Sequence, residues 1–262
     1  MEPIVLGPGG GEQVSKRVRL LVDLEQVAIT ESLYAPGDAG PGPHIHHHHA
    51  DTFYVVGGEI VFDLGREAQR FEAPAGSFAG APAGLVHTFR NEGPADARFL
   101  NFHAPGCVFG RYLRDLVAGR DTAWFDTADP PADGGPPASE ALYVPPGEGE
   151  RDDTHPGAAI CWKGRAGHIA VLEQRLDPGF PGPPAHLHES HLNAFYVLEG
   201  DVSIRAGDET LEAGPGTFAA APPGVVHAVA NPGPAVARVL TVMAPALEPE
   251  RALRGEYDFV RA

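Results

Sequence analysis

The chain has 262 residues, 43% of them hydrophobic, so it is long enough to bury a sizeable core. Its formal net charge of −16, with no basic run, argues against nucleic acid and against an anionic membrane surface, because both partners require a positive face. The N-terminal sequence has no basic segment followed by an apolar stretch, and no apolar run approaches the ~20 residues that cross a bilayer. We therefore expect a cytoplasmic protein that binds neither nucleic acid nor a membrane.

The sequence contains an internal repeat that is marked by histidines. HIHHHHADTFYVVGGEIVF begins at His44, and HLHESHLNAFYVLEGDVSI begins at His186, an offset of 186 − 44 = 142 residues. A second block, GSFAGAPAGLVHTFRN, returns as GTFAAAPPGVVHAVAN, and its histidines, His87 and His227, are 227 − 87 = 140 residues apart. A repeat of this length predicts two domains of similar structure.

Each copy of the repeat is predicted to be all-β. The 33 glycines and 27 prolines separate short segments rich in β-branched and aromatic residues, such as Thr52–Phe62 and Ala194–Ile204, which is typical of successive strands joined by turns. Such a pattern predicts an antiparallel sandwich or barrel in each copy. Apolar residues at 109, 112, 113, 116 and 117 have a helical period and are followed by a turn-rich linker. We therefore expect an N-terminal barrel over residues 1–107, a helix and linker over 108–143, and a C-terminal barrel with its tail over 144–262.

The histidine spacing predicts a metal site in each copy. Alternate side chains of a strand share a face, so His44 and His46 point the same way, as do His186 and His188. Asp51 comes five residues after His46, where a bend can return it to the same centre. The third histidine of each copy, His87 or His227, follows a rigid Pro-Ala-Gly or Pro-Pro-Gly turn that fixes where its strand begins.

These motifs resemble those of the cupin superfamily. The second cupin motif, G(x)5PxG(x)2H(x)3N, is matched without a gap in both copies, by Gly76, Pro82, Gly84, His87 and Asn91 and by Gly216, Pro222, Gly224, His227 and Asn231. The resemblance covers both repeats and implies a bicupin, with two small jelly-roll β-barrels and a metal inside each. The segment PPGEGE before the second copy, and the helix after the first, look most like the quercetin-dioxygenase-like branch of the family.

The first cupin motif is incomplete in both copies, because the family's Glu ligand is replaced by Asp51 and by Asn193. The resemblance implies the ligand set His44, His46, His87 and, directly or through a water, Asp51 in the first barrel, and the set His186, His188 and His227 in the second. Each set suits one divalent transition metal: Fe, Mn, Ni or Cu for the first, and Zn, Fe, Ni or Cu for the second. His47, His48 and His49 are expected to face solvent or to lie behind the ligands.

Two classes of function follow from this interpretation. The first is a metal-dependent dioxygenase of the quercetinase-like kind that acts on a small enol, flavonol-like or hydroxylated aromatic substrate, with Asp51 as the catalytic base. The second is a redox-silent cupin, either an isomerase or polyketide-cyclase-like enzyme or a small-molecule-binding protein. The duplicated barrels also leave a homodimer open. Cupin barrels host many chemistries, so the fold alone does not choose between the two classes.

Overall fold

The computed structural model describes residues 1–166 and 168–246 in full, and the backbone of residues 260–261. The strands of the first part of the chain are β1 (Ile4–Leu6), β2 (Glu12–Gln13), β3 (Val18–Asp23), β4 (Ala28–Tyr34), β5 (Ala50–Gly57), β6 (Glu59–Leu64), β7 (Gln69–Pro74), β8 (Phe78–Ala81), β9 (His87–Arg90), β10 (Ala97–Ala104) and β11 (Leu142–Val144). Between β10 and β11 lie helix α1 (Phe109–Val117) and a 3-10 turn (Ala138–Glu140).

Further strands follow in the second part of the chain. They are β12 (Glu150–Asp152), β13 (Ala158–Ala166), β14 (Ile169–Leu176), β15 (His186–Leu187), β16 (Leu192–Glu199), β17 (Val202–Ala206), β18 (Glu209–Ala213), β19 (Phe218–Ala221), β20 (His227–Ala230), β21 (Ala237–Ala244) and β22 (Val260–Arg261). No helix in the described residues is long and apolar enough to cross a membrane.

The strands form two compact units. The first unit consists of Glu12–Glu148 with Ala166–His168, and the second of Met1–Gly11, Gly149–Arg165 and the described part of Ile169–Ala262. This division does not follow the sequence repeat throughout. Strand β1, at the start of the chain, pairs with β19 and belongs to the second unit, whereas β11 pairs with β8 and belongs to the first. The domain boundaries drawn from the repeat stay a prediction.

Two antiparallel sheets enclose the core of the first unit. The larger sheet has the order β11-β8-β5-β10-β4-β3-β2 and the smaller has the order β7-β6-β9. Phe53 on β5 and Phe62 on β6 are buried in one apolar cluster, with ring centroids 5.0 Å apart, so both sheets contribute to the same core. The predicted strand Thr52–Phe62 is interrupted at Gly58, whose φ of +71° and close approach to the Asp96 carbonyl exclude a side chain.

The second unit repeats this arrangement. Its larger sheet has the order β1-β19-β16-β21-β14-β13-β12, and its smaller sheet has the order β18-β17-β20-β15-β22. Phe195 and Val197 of β16 pack in one cluster with Ile204 of β17, so here too the apolar side chains of the two sheets meet. The architecture confirms the predicted all-β fold of two barrels with one short helix.

Helix α1 begins and ends where the apolar period predicts. Phe109 is buried in a cluster with Ala28 and Phe125, and Tyr112 and Leu113 pack against it. Leu116 and Val117, the last apolar positions of the period, are exposed. The buried face of α1 therefore covers one side of the first barrel.

Candidate metal centre

Strand pairing gathers the three predicted histidines of the first unit. His44 and His87 are antiparallel partners whose backbones exchange two hydrogen bonds, at 3.2 and 3.0 Å. The backbone N–H of Gly84, in the Pro82–Gly84 turn, donates to the carbonyl of His46 at 2.7 Å. The turn thus holds the segment that carries His46 beside the strand that carries His87. The proline and glycine of the second motif serve this purpose.

Each of these histidines is oriented by a backbone carbonyl. Nδ1 of His44 lies 2.9 Å from the carbonyl of Gly42, Nδ1 of His87 lies 3.0 Å from that of Leu85, and Nδ1 of His46 bonds the carbonyl of Asp126. A carbonyl oxygen only accepts, so Nδ1 of a neutral ring carries the hydrogen and Nε2 keeps its lone pair. Three such lone pairs form a nitrogen ligand set whose tautomers are already fixed.

The Asp51 side chain completes this group. Its Oδ2 lies 3.2 Å from Nε2 of His87 and 3.8 Å from Nε2 of His46, and its Oδ1 accepts a hydrogen bond from Asn101 Nδ2. The ligand atoms of His44, His46, Asp51 and His87 all lie within 4.8 Å of one another. The bend after His46 therefore returns the carboxylate to the histidines, as the sequence predicts.

The protonation of the group follows from its burial and its charges. Burial and the neighbouring His87 lower the pKa of His44 to about 4, so this ring is neutral at pH 7. Burial by itself would raise the pKa of Asp51, but His103, His46 and His87 outweigh it and hold this pKa well below its ordinary value. Burial opposes the charge of His46, yet Asp51 and Asp126 raise its pKa. In the metal-free protein, His46 therefore holds a proton more readily than His44.

The residues fit a divalent transition metal. Nε2 of His46 is buried and has no hydrogen-bond partner, although an isolated buried polar atom costs free energy. Three imidazole nitrogens with one carboxylate are a donor set that Fe, Mn, Ni and Cu accept. A cation held by the three Nε2 atoms would give the His46 lone pair its partner and balance the charge of Asp51.

A buried network lies behind the ligands and includes His49, for which the sequence allowed either solvent or a place behind the ligands. His49 stacks on His46, with ring centroids 4.1 Å apart, and its Nε2 lies 2.9 Å from Nδ1 of His103. Nε2 of His103 in turn lies 3.0 Å from Oδ1 of Asn101, the residue whose amide bonds Asp51. His47 and His48 are exposed, as expected, whereas His49 and His103 are only 1% and 3% exposed.

Asp126 ties this network to the segment after α1. Its carboxylate accepts hydrogen bonds from the backbone N–H groups of His47 and His48, each at 2.8 Å, and its Oδ2 lies 2.9 Å from Nδ1 of His49. These contacts and the one to His46 span 77 to 80 residues of sequence. No local sequence pattern predicts these contacts of Asp126. For Asn101 and His103 a signal did exist, since two polar residues share one face of the apolar strand β10.

The second unit contains the equivalent histidine group. His186 and His227 are antiparallel partners, and the ligand atoms of His186, His188 and His227 lie within 4.8 Å of one another. Nδ1 of His186 lies 2.9 Å from the Pro184 carbonyl, and Nδ1 of His227 lies 3.0 Å from that of Val225. Burial lowers the pKa of His227 to about 4. The three-nitrogen set fits Zn, Fe, Ni or Cu.

Asn193 takes the place of Asp51 in this second group. Its Nδ2 lies 3.1 Å from Nε2 of His227, and its Oδ1 is buried and has no hydrogen-bond partner. In the strand register His103 faces Asp51, whereas Met243 faces Asn193. The second group therefore lacks both the carboxylate and the polar side chain opposite it.

A cavity opens onto each histidine group. The cavity of the first unit has a volume of about 430 Å³ and is lined by His44, His46 and Asp51 together with aromatic residues, namely Tyr34, Phe89, Phe99, Phe109, Tyr112 and Phe125. The cavity of the second unit has a volume of about 400 Å³ and includes His186, Asn193 and His227 in its wall. Each group of candidate ligands is therefore accessible to a small molecule.

Similarity to known proteins is clear in structure and faint in sequence. No curated protein matches this chain. A putative glyoxylate-induced protein from Pseudomonas aeruginosa is 18% identical, with a TM-score of 0.66, and the match covers 94% of this chain and 90% of that one. AerE from Microcystis aeruginosa is 14% identical, with a TM-score of 0.63 and coverage of 94% and 99%. Oxalate decarboxylase from Lactobacillus farciminis is 13% identical, with a TM-score of 0.63 and coverage of 96% and 90%. At such identities these matches show the fold alone.

The family model for the cupin domain matches the chain twice. The matches cover residues 30–103 and 172–243, which include both second motifs and the strands on either side of them. Together they span more than half of the chain. The chain therefore belongs to the cupin family, and its two matched repeats make it a bicupin.

Proposed function

We propose that this bicupin is a metal-dependent dioxygenase whose reaction takes place in the first barrel, on a small enol, flavonol-like or hydroxylated aromatic substrate. One observation carries the proposal. The cavity of the first unit combines a three-histidine group and a buried carboxylate with six aromatic residues in its walls. Flat aromatic or enolic molecules pack well against these rings, and the polar groups of the wall can fix their orientation.

The polar residues of this cavity have separate roles in the proposal. The Nε2 atoms of His44, His46 and His87 would hold the metal, and their hydrogen bonds through Nδ1 keep the rings from turning. When bound, a redox-active metal supplies the chemistry that joins dioxygen to an enolate. Asp51 is ionised at neutral pH, because its pKa lies well below the ordinary value, and it can accept the substrate's hydroxyl proton. The buried aromatic walls exclude water from the substrate.

The second barrel has a different part in this proposal. Asn193 cannot accept a proton at neutral pH, so the second histidine group lacks a base at the position of Asp51. We propose that this second histidine group binds a metal that stabilises the barrel, or that it forms a weaker three-histidine site. Metal removal from the second barrel would then change stability more than turnover.

A redox-silent function is the second candidate, and the state of Asp51 favours it. Burial opposes the charge of Asp51, but His103, His46 and His87 outweigh it and hold the pKa of this carboxyl well below its ordinary value. A carboxylate of low pKa is a weak base. An isomerase or cyclase that uses the metal as a Lewis acid, or a small-molecule-binding protein, requires less of this carboxylate.

The metal distinguishes the two candidates. Elemental analysis of untagged protein would be followed by oxygen-uptake measurements with a panel of flavonols, β-diketones and hydroxylated aromatics. Stoichiometric Fe, Cu, Mn or Ni, with oxygen consumed on one class of the panel, supports the dioxygenase. Stoichiometric Zn in protein purified without added metal, and no oxygen uptake across the panel, would contradict it.

A further inference from the structure

The cavity of the second unit differs from that of the first in its charge. Its walls include His186, His227, Asn193, Arg165, Trp162 and Phe195. Where the first cavity has the Asp51 carboxylate, this one has the neutral amide of Asn193. A divalent cation held by three neutral imidazoles keeps its full charge, whereas a cation beside Asp51 is partly neutralised. Among the residues that the structure describes, the wall of the second cavity is therefore the more positive of the two.

The arginines of the two cavities strengthen this contrast. Arg17 in the first cavity lies 3.4 Å from the Asp38 carboxylate and donates to the carbonyl of Ala39, so its charge is balanced. Arg165 in the second cavity forms no ion pair with any carboxylate in the described part of the chain. Its guanidinium carbon lies 4.3 Å from the centroid of the Trp162 ring. His155 also lines this cavity, but it already faces Asp152 at 3.4 Å.

Within the part of the chain that the structure describes, the position of Arg165 leaves its donors available. A guanidinium that lies over an aromatic face keeps its N–H edge free to bind a carboxylate through two parallel hydrogen bonds. Apolar side chains such as Leu172, Phe180 and Phe195 form much of the remaining wall. A ligand that satisfies both features has an apolar or aromatic body and a single anionic group.

We propose that the cavity of the second unit binds a small organic carboxylate, with its carboxylate on Arg165 and its apolar body between Trp162 and the walls of the barrel. The proposal goes beyond the reaction assigned to the first barrel and does not depend on it. The second barrel would then have its own ligand, an anion. The first cavity does not favour an anion, because it contains the Asp51 carboxylate.

Benzoate is the probe for this site, and benzamide is its neutral counterpart of the same shape. The chain has two tryptophans, so a Trp124→Phe background leaves Trp162 as the only tryptophan that reports on the cavity. We expect benzoate to change Trp162 fluorescence with saturation at one site per chain in calorimetry, and benzamide to bind at least tenfold more weakly. Benzoate that does not bind at millimolar concentration would overturn the proposal.

The variants test the role of Arg165 itself. In full-length metal-loaded protein, Arg165→Gln should weaken benzoate binding about tenfold or more, because it removes a charge-assisted pair, while the metal content stays unchanged. Arg165→Lys keeps the charge and should retain part of the affinity. Arg17→Gln is the matched control from the first cavity and should leave benzoate affinity unchanged. An Arg165→Gln protein that binds benzoate as the parent does, or equal losses from Arg165→Gln and Arg17→Gln, would refute the assignment.

Discussion

The backbone carbonyl of Asp126 accepts a hydrogen bond from Nδ1 of His46, a residue 80 positions earlier in the chain. The Asp126 carboxylate also binds the backbone N–H groups of His47 and His48 and the ring of His49. One residue of the segment after α1 thus fixes both the ring orientation of a candidate ligand and the loop that carries it. Groups that orient ligands in this way contribute strongly to metal affinity.

Replacing Asp126 by alanine should therefore weaken metal binding in the first unit. The carbonyl to His46 remains in Asp126→Ala, but the loop loses three hydrogen bonds, and a loss of roughly 10- to 100-fold in affinity is expected. Competition with a chromophoric chelator measures it. Asp121→Ala, a change at another aspartate of the same segment, is the control and should bind metal as the wild type does. Unchanged affinity in Asp126→Ala would show that the loop holds its shape without the carboxylate.

His46→Ala should remove the metal of the first unit and leave that of the second. Two imidazoles and one short carboxylate do not hold a borderline cation well against water, whereas His186, His188 and His227 are untouched. Elemental analysis should then give about half the metal of the wild-type chain. His48→Ala is the matched control, because His48 is exposed and should be dispensable. Full metal occupancy in His46→Ala would remove His46 from the ligand set.

Asp51→Asn and His186→Ala compare the two barrels. If the first barrel performs the reaction, Asp51→Asn should abolish most turnover on the substrate found by the oxygen-uptake panel, because the amide cannot take a proton. His186→Ala should keep most of the activity. Initial rates and circular dichroism of both proteins test this comparison. Activity that survives Asp51→Asn and is lost in His186→Ala would assign the reaction to the second barrel.

Stability of the metal-free protein should fall as the pH is lowered from about 6.5 to about 4. The pKa values of His44, His49 and His227 are each lowered from 6.5 to about 4, chiefly by burial, so the unfolded chain binds more protons than the folded one in this interval. The raised pKa of His46 acts in the opposite direction, but the pKa values of His103 and His186 are lowered as well. Urea unfolding of chelator-treated protein at several pH values measures the trend.

Bound metal should raise stability throughout this interval and make its pH dependence steeper, because the cation keeps His46 unprotonated in the folded state. The cation requires the same neutral histidines and stabilises the folded state by mass action. The folded rings of His44 and His227 stay neutral until about pH 4, so protons compete for these two ligands only at low pH. The raised pKa of His46 lets protons compete for this ligand at higher pH. Metal-free stability that stays constant between pH 6.5 and 4 would mean that these histidines are not buried in solution.

The repeat, the all-β class, α1 and the spacing of the two histidine triplets can be predicted from the amino-acid sequence. These features are local or repeated patterns: alternate residues of a strand share a face, a rigid Pro-x-Gly turn fixes where the next strand starts, and duplication shows each pattern twice. The bend that returns Asp51 to His46 could also be predicted from the sequence, because it involves only a few consecutive residues. Such patterns can be recognised without knowledge of which distant segments meet.

The surroundings of the triplets depend on contacts between residues that are far apart in the sequence. His49 was expected to face solvent or to lie behind the ligands, and its burial depends on His103 and Asp126, which are 54 and 77 residues away in the sequence. The pairing of β1 with β19 and of β11 with β8 also joins residues that are far apart in the sequence. The same holds for the place of Arg165 in the wall of the second cavity. Hydrogen bonds and charges act through space, so the protonation and the ligand preference of each barrel arise only when the strands have assembled.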